Sequence, residues 1–148
     1  MDSWLHQWVT RWVLPRSRQR TSRQQLGERS EALAVRFLAS RRYAIEARNV
    51  RCRLGEIDII AVAPDHTRCF IEVRGVSSAA WGGALASVTD RKRRRLIRAA
   101  RWYLQRRPDP DQAVRFDVIG IEWGEGDRPS IEHVEGAFED DTGQGSGW

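Results

Sequence analysis

Residues 55–74 read GEIDIIAVAPDHTRCFIEVR, two apolar runs separated by the turn-like APDHT of residues 63–67. Ile57, Ile59, Ile60 and Val62, then Phe70, Ile71 and Val73, are β-branched or aromatic, with Pro64 and Asp65 as a break between them, so the stretch predicts a β-hairpin. A carboxylate interrupts each arm, Asp58 in the first and Glu72 in the second. Side chains alternate along a strand, which assigns Glu56, Asp58 and Ile60 to one face and Phe70, Glu72 and Arg74 to one face. If the hairpin is symmetric about Asp65, paired positions sum to 130 and Asp58 stands opposite Glu72. Opposed like charges destabilise a sheet and raise a carboxylate's pKa, so this hairpin asks for a cation.

Upstream, Leu26, Leu33, Ala34, Phe37 and Leu38 recur at helical spacing over residues 26–40. Glu31 lies at the edge of that stripe, and two readings stand: a third inward-facing carboxylate, or a rim glutamate paired with a nearby Arg. Residues 43–51 predict a strand and 52–54 the turn into the hairpin. Downstream, the small and glycine-rich residues 75–89 read as a loop over the sheet, either shaping a substrate opening or merely connecting.

Residues 90–105 predict a second helix, with Leu96, Ile97, Ala100 and Leu104 on one side and Asp90 as N-cap. Its remaining surface is basic: Arg91, Lys92, Arg93, Arg94, Arg95, Arg98 and Arg101. Residues 91–107 hold nine Lys and Arg and no acid, whereas residues 108–148 are net −9. Like charges on neighbouring helical turns repel, so such a face is costly without an anionic partner; a merely solvated face would be mixed in sign, and phosphate binding is the favoured reading. PDPD at 108–111 stops the helix. Residues 114–121 predict an internal strand in which Asp117 is a structural carboxylate near a strand edge. Residues 122–130 form a turn, 130–138 a short edge strand or helical end, and 140–148 a disordered tail.

The N-terminal WLHQWVTRWVL places Trp4, Trp8 and Trp12 in register with Leu5, Val9 and Val13, an amphipathic helix that docks on a partner or membrane surface or folds back on its own domain. The Arg- and Ser-rich stretch after Pro15 reads as a flexible basic linker. With 148 residues the chain holds one domain with a core of its own. Its organisation is therefore residues 1–25 as helix and linker, 26–139 as the domain, and 140–148 as tail. The cysteines Cys52 and Cys69 are too few for a disulfide framework, which fits a reducing compartment. No apolar run approaches the roughly 20 residues that span a bilayer, and a cytoplasmic protein is expected.

The chemistry follows from the carboxylates. Mg²⁺ or Mn²⁺ held by Asp58 and Glu72 would lower the pKa of bound water and neutralise charge at a phosphodiester, with Arg74 placed to contact the phosphate. An aspartate, thirteen intervening residues and then E-x-R resembles the D-x(n)-(D/E)-x-K signature of restriction-endonuclease-like nucleases. More closely, GEIDII, FIEVR, WGGALASVTDRK, AARWYL and RFDVIGI resemble the YraN family of small bacterial proteins, described as similar to Holliday junction resolvases and predicted to be endonucleases. The resemblance covers about residues 26–138. It implies an α/β fold with a restriction-endonuclease-like core, a mixed central β-sheet flanked by helices in the order α-β-β-β-α-β.

It further implies that Glu31, Asp58, Glu72 and Arg74 are catalytic. Asp58, Glu72, Glu31 and Glu56 would hold the metal, and Arg91, Lys92, Arg94, Arg95, Arg98 and Arg101 would hold DNA, branched DNA among the substrates. Arg74 stands where the superfamily usually has Lys, and a guanidinium stays protonated, so it stabilises charge or positions water rather than acting as a base. A neutral amine, if required, would come from Lys92. By analogy with junction resolvases a homodimer is expected. The competing functions are a nucleic-acid-binding protein with a degenerate nuclease site, and a peripheral membrane protein using the Trp helix and basic segments.

Overall fold

The computed structural model describes residues 21–77 and 83–141. The Trp-rich helix, most of the basic linker and the last seven residues of the tail lie outside them. The elements are α1 (Ser22–Ser40), β1 (Ala44–Cys52), β2 (Gly55–Val62), β3 (Arg68–Ser77), α2 (Gly83–Ala86), α3 (Asp90–Gln105), β4 (Val114–Trp123), a 3-10 turn (Glu125–Asp127) and β5 (Pro129–Phe138). The strands form one mixed sheet in the order β1-β2-β3-β4-β5. All neighbours are antiparallel except β3 and β4, whose parallel pairing uses the crossover that carries α2 and α3.

The fold is thus the expected mixed α/β arrangement, with a helix on each face. Strand alternation sorts β3 between two cores. Ile71 and Val73 pack with Ile59, Ile119 and Ile121 under Ala34 and Leu38 of α1. Phe70 packs with Ile60 and Phe116 under Leu96, Ile97, Ala100 and Tyr103 of α3. Phe70 is fully buried, stacked on Phe116 and edge-on to Tyr103, and truncating such a residue typically costs about 3–5 kcal/mol.

Two glycines set how closely the layers approach. A β-carbon at Gly75 would collide with Ser30 Oγ of α1, and one at Gly55 would stand 2.8 Å from the Arg95 carbonyl of α3. Ser30 is fully buried; it donates to the Leu26 carbonyl at 2.7 Å and accepts from Trp123 Nε1 at 2.9 Å.

Several boundaries differ from the sequence reading, each for a local reason. Helix α1 begins at Ser22, because Thr21 and Gln24 form a reciprocal capping box in what reads by composition as linker. The N-cap of α3 is Thr89, whose hydroxyl accepts from Lys92 N–H at 3.4 Å, and Asp90 is the first helical residue. Residues 75–77 are strand rather than loop, held by parallel pairing to Ile121–Trp123, and residues 83–86 form one helical turn. Residues 129–138 form a ten-residue edge strand.

Asp117 is not near a strand edge but fully buried on the α1 face. It accepts from Arg115 Nε at 2.8 Å, from Arg115 Nη2 at 3.0 Å and from Gly136 N–H at 2.9 Å, and lies 2.9 Å from His133 Nε2. Gly136, at φ 59°, occupies a bulge in β5 that aims its N–H inward.

Candidate active site

The hairpin turns where expected. His66 N–H donates to the Ala63 carbonyl at 2.9 Å, and His66 takes a left-handed conformation at φ 70°. Four pairs, Val62 with Arg68, Ala61 with Cys69, Ile60 with Phe70 and Ile59 with Ile71, follow the symmetric register. The ladder then stops one step short of Asp58 and Glu72. In its place Asp58 Oδ2 accepts from Val73 N–H at 2.8 Å, a side chain substituting for a backbone partner.

The other edge of β2 is interrupted at the same level. Arg48 pairs with Ile59 and Val50 with Ile57, but Asn49 and Asp58 between them are not paired. Strict alternation also fails here: Ile57 and Ile60 both pack in the α3 core, while Ile59 packs under α1. The simple face assignment of Glu56, Asp58 and Ile60 therefore does not hold through Asp58. Both strands re-aim their side chains at this level, and Asn49 does so with φ at 50°.

Around this break lie most of the residues singled out by sequence. Burial, and then Glu72, push the Asp58 carboxyl up to about 8, against the Val73 N–H that favours its charged form. Burial also raises Glu72, opposed by Arg74 and Lys92, and its side chain is only 16 % exposed. Arg74 Nη1 lies 3.7 Å from Glu72 Oε1. Lys92 arrives from the first turn of α3 and is lowered by burial and then by Arg74.

One residue that sequence reasoning missed ties these cations together. Ser87 Oγ accepts from Arg74 Nε at 3.0 Å and donates to the Ala84 carbonyl at 2.6 Å, while the Ser87 carbonyl accepts from Lys92 Nζ at 3.3 Å. A serine in a small-residue stretch carries no signal for this role.

Burial raises the Glu31 carboxyl, opposed by the nearby Asn49 amide and reinforced by the charge of Glu56. With Gln24, Gly27, Glu28, Asn49 and Arg51, these two glutamates line a groove of about 710 Å³. Glu56 is itself paired with Arg51 at 3.1 Å. Among the described residues no three His, Cys, Asp or Glu side chains group as a ready-made metal cage. What the site offers is two buried, mutually repelling carboxylates, with Glu31 and Glu56 as electrostatic neighbours. That set fits Mg²⁺, which keeps several waters and takes one or two carboxylates together with substrate phosphate. Asp58 and Glu72 are the residues that would hold it.

Of the basic residues on α3, Arg91, Arg94, Arg95 and Arg98 line its outer surface, Arg94 and Arg95 following Arg91 at i+3 and i+4 and so lying on its side of the helix. Lys92 is turned toward Ser87, and Arg101 Nε donates to Asp140 Oδ2 at 2.7 Å, so Arg101 is already engaged with the acidic C-terminal segment. No described helix is long and apolar enough to cross a membrane.

Residues 30–121 match the family described as Uncharacterised protein family UPF0102. The chain belongs to UPF0102. It is 43 % identical over 124 residues to a UPF0102 protein of Geotalea uraniireducens, covering 84 % of this chain and 97 % of that one. A UPF0102 protein of Myxococcus xanthus is 40 % identical over 117 residues, 79 % of this chain and 91 % of that one. One of Mycobacterium tuberculosis is 43 % identical over 119 residues, 78 % and 93 % of the two chains. The UPF0102 match begins at Ser30, beside Glu31, and contains Asp58, Glu72, Arg74, Ser87, Lys92 and Asp117.

Proposed function

We propose that this protein is a cytoplasmic, metal-dependent endonuclease that hydrolyses phosphodiester bonds in structured or branched DNA, as its resemblance to the YraN family and to restriction-endonuclease-like nucleases implies. The observation that carries the reading is the break in the hairpin. There the sheet gives up its ladder to hold Asp58 beside Glu72, two carboxylates whose repulsion a divalent cation relieves, with Arg74 and Lys92 beside them.

Bound Mg²⁺ or Mn²⁺ would supply a nucleophilic water at neutral pH and neutralise charge on the phosphate. Arg74, fixed by Ser87, donates to phosphate oxygens and holds its charge throughout. Arg91, Arg94, Arg95 and Arg98 line up phosphates along the outer face of α3. A two-fold branched substrate would be met by a homodimer, and the Trp-rich N-terminal segment would then dock on a partner or a membrane surface.

The test is cleavage of four-way, flap and linear duplex DNA with Mg²⁺ or Mn²⁺. Wild-type protein is expected to cut branched DNA in a metal-dependent way and Asp58→Asn to be inert while folded; equal cutting by the variant would sink the proposal. A second reading, a nucleic-acid-binding protein with a degenerate site, is favoured by one observation, the permanently charged Arg74 in the superfamily's usual Lys position. It predicts salt-sensitive DNA binding with no Glu72-dependent Mn²⁺ binding in calorimetry.

A further inference from the structure

Asp140 belongs by composition to the acidic C-terminal stretch, yet it is not placed like part of a free tail. Phe138, two residues earlier, pairs with Phe116 at the end of β5 and stacks on its ring with centroids 5.4 Å apart. The Arg93 guanidinium of α3 stands 5.7 Å from the centroid of the same Phe138 ring. From that anchor the chain runs along the flank of α3, where Asp140 Oδ2 accepts from Arg101 Nε at 2.7 Å and also meets Arg101 Nη2. The Asp140 side chain is packed down to 4 % exposure, while that of Arg101 keeps 38 %.

Arg101 continues the basic stripe of α3. It follows Arg94 and Arg98 at i+7 and i+3, on the same side of the helix, and those two are exposed. A carboxylate and a phosphate oxygen make the same kind of charge-assisted bond to a guanidinium. At the C-terminal end of the stripe the protein has therefore already supplied the anion that the rest of the stripe awaits.

We infer that Asp140 is an internal phosphate mimic: it occupies the C-terminal end of the α3 basic stripe, and nucleic acid reaches Arg101 only by displacing it. This deepens the proposed function and rests on the phosphate-binding face of α3, not on turnover at Asp58 and Glu72. The exchange trades one charge-assisted pair for another, so a single phosphate gains little by it. A polyanion that meets Arg94 and Arg98 at the same time competes at a much higher effective concentration. The contact thus selects an extended backbone over an isolated phosphate.

The experiment titrates labelled four-way-junction DNA in a chelating buffer, which reads binding without cleavage, against wild type, Asp140→Asn, Glu139→Gln, Arg101→Gln and the Asp140→Asn/Arg101→Gln double variant, with thermal unfolding in parallel. Asp140→Asn is expected to bind at least about threefold more tightly at about 50 mM salt and to steepen the logarithmic salt dependence by about 0.9, the contribution of one more phosphate contact. Arg101→Gln alone is expected to bind like wild type, and in the double variant to cancel the gain. Glu139→Gln removes the same charge from the exposed position next door and is expected to leave the salt slope unchanged. A gain that survives Arg101→Gln, or that Glu139→Gln reproduces, would assign the effect to net charge and overturn the inference. So would Asp140→Asn that unfolds earlier and binds DNA no more tightly per folded molecule, the outcome of a contact that only fastens the C-terminal segment. If neither wild type nor Asp140→Asn binds DNA, the nucleic-acid reading of α3 itself falls, and the inference with it.

Discussion

Two buried carboxylates in one sheet have opposite electrostatics. Asp117 is completely buried, yet its carboxyl lies below the usual range: burial alone would raise it, and His133, Arg115 and the Gly136 N–H together outweigh that. Asp58 is also largely buried, but a single N–H and a second carboxylate meet it, and it rises to about 8. Burial alone therefore does not set the direction in which a carboxylate shifts. The difference lies in whether the protein itself supplies the counter-charge, and at Asp58 it leaves that to something else.

The contrast is broken most severely by removing Asp117. Asp117→Ala takes the buried acceptor from Arg115 and His133 and leaves Arg115 with Tyr43 and Glu135, and deleting one partner of a buried pair commonly costs about 3–5 kcal/mol. Urea unfolding reads this directly, and a loss under about 1 kcal/mol would mean that the network is not a stabilising one.

Asp58→Asn goes the other way. In the unfolded chain Asp58 titrates near the ordinary carboxylate value of 3.8, whereas in the fold it holds its proton to about 8. Across that window the folded state carries a proton that the unfolded state lacks, so stability of the metal-free protein falls as pH rises from about 4 to about 8. Thermal unfolding in a chelating buffer is expected to show that decline in wild type and to lose most of it in Asp58→Asn. The same decline in the variant would assign it to other groups.

The smallest effect belongs to the α3 surface, where the proposed partner is DNA. Replacing Arg94 and Arg98 by Gln is expected to leave folding unchanged and to flatten the logarithmic salt dependence of DNA affinity by about 1 for each phosphate no longer neutralised. An unchanged slope would remove these residues from the interface.

The sequence announced the pair more readily than the network. Asp58 and Glu72 are visible because each breaks an apolar strand and a symmetric turn brings them level; four of the hairpin's pairs follow that register. What the pattern concealed is that the ladder opens at Asp58, since alternation arguments assume a continuous strand. The Asp117 network was hidden for a different reason: Arg115, His133 and the bulge at Gly136 are brought together by pairing of β4 with β5, and neither composition nor periodicity encodes that pairing. Ser87 was illegible because its part in the site rests on hydrogen bonds that a small-residue stretch does not announce. Helices α1 and α3 were plain from their apolar spacing, with only their caps at Thr21 and Thr89 shifting the ends, whereas the short α2 lay within what reads as a loop.

The close approach of Gly75 to Ser30 has a consequence for how this protein can vary. The two positions share one volume: a methyl group added to the strand can be accommodated only by taking atoms from the helix, and the Ser30 hydroxyl already holds Trp123. A larger residue at either position alone would push α1 along the sheet normal and carry Glu31 with it. Positions 30 and 75 therefore act as a spacer of fixed thickness between the two layers, so tolerated substitutions there are expected to come as compensating pairs whose combined size is constant.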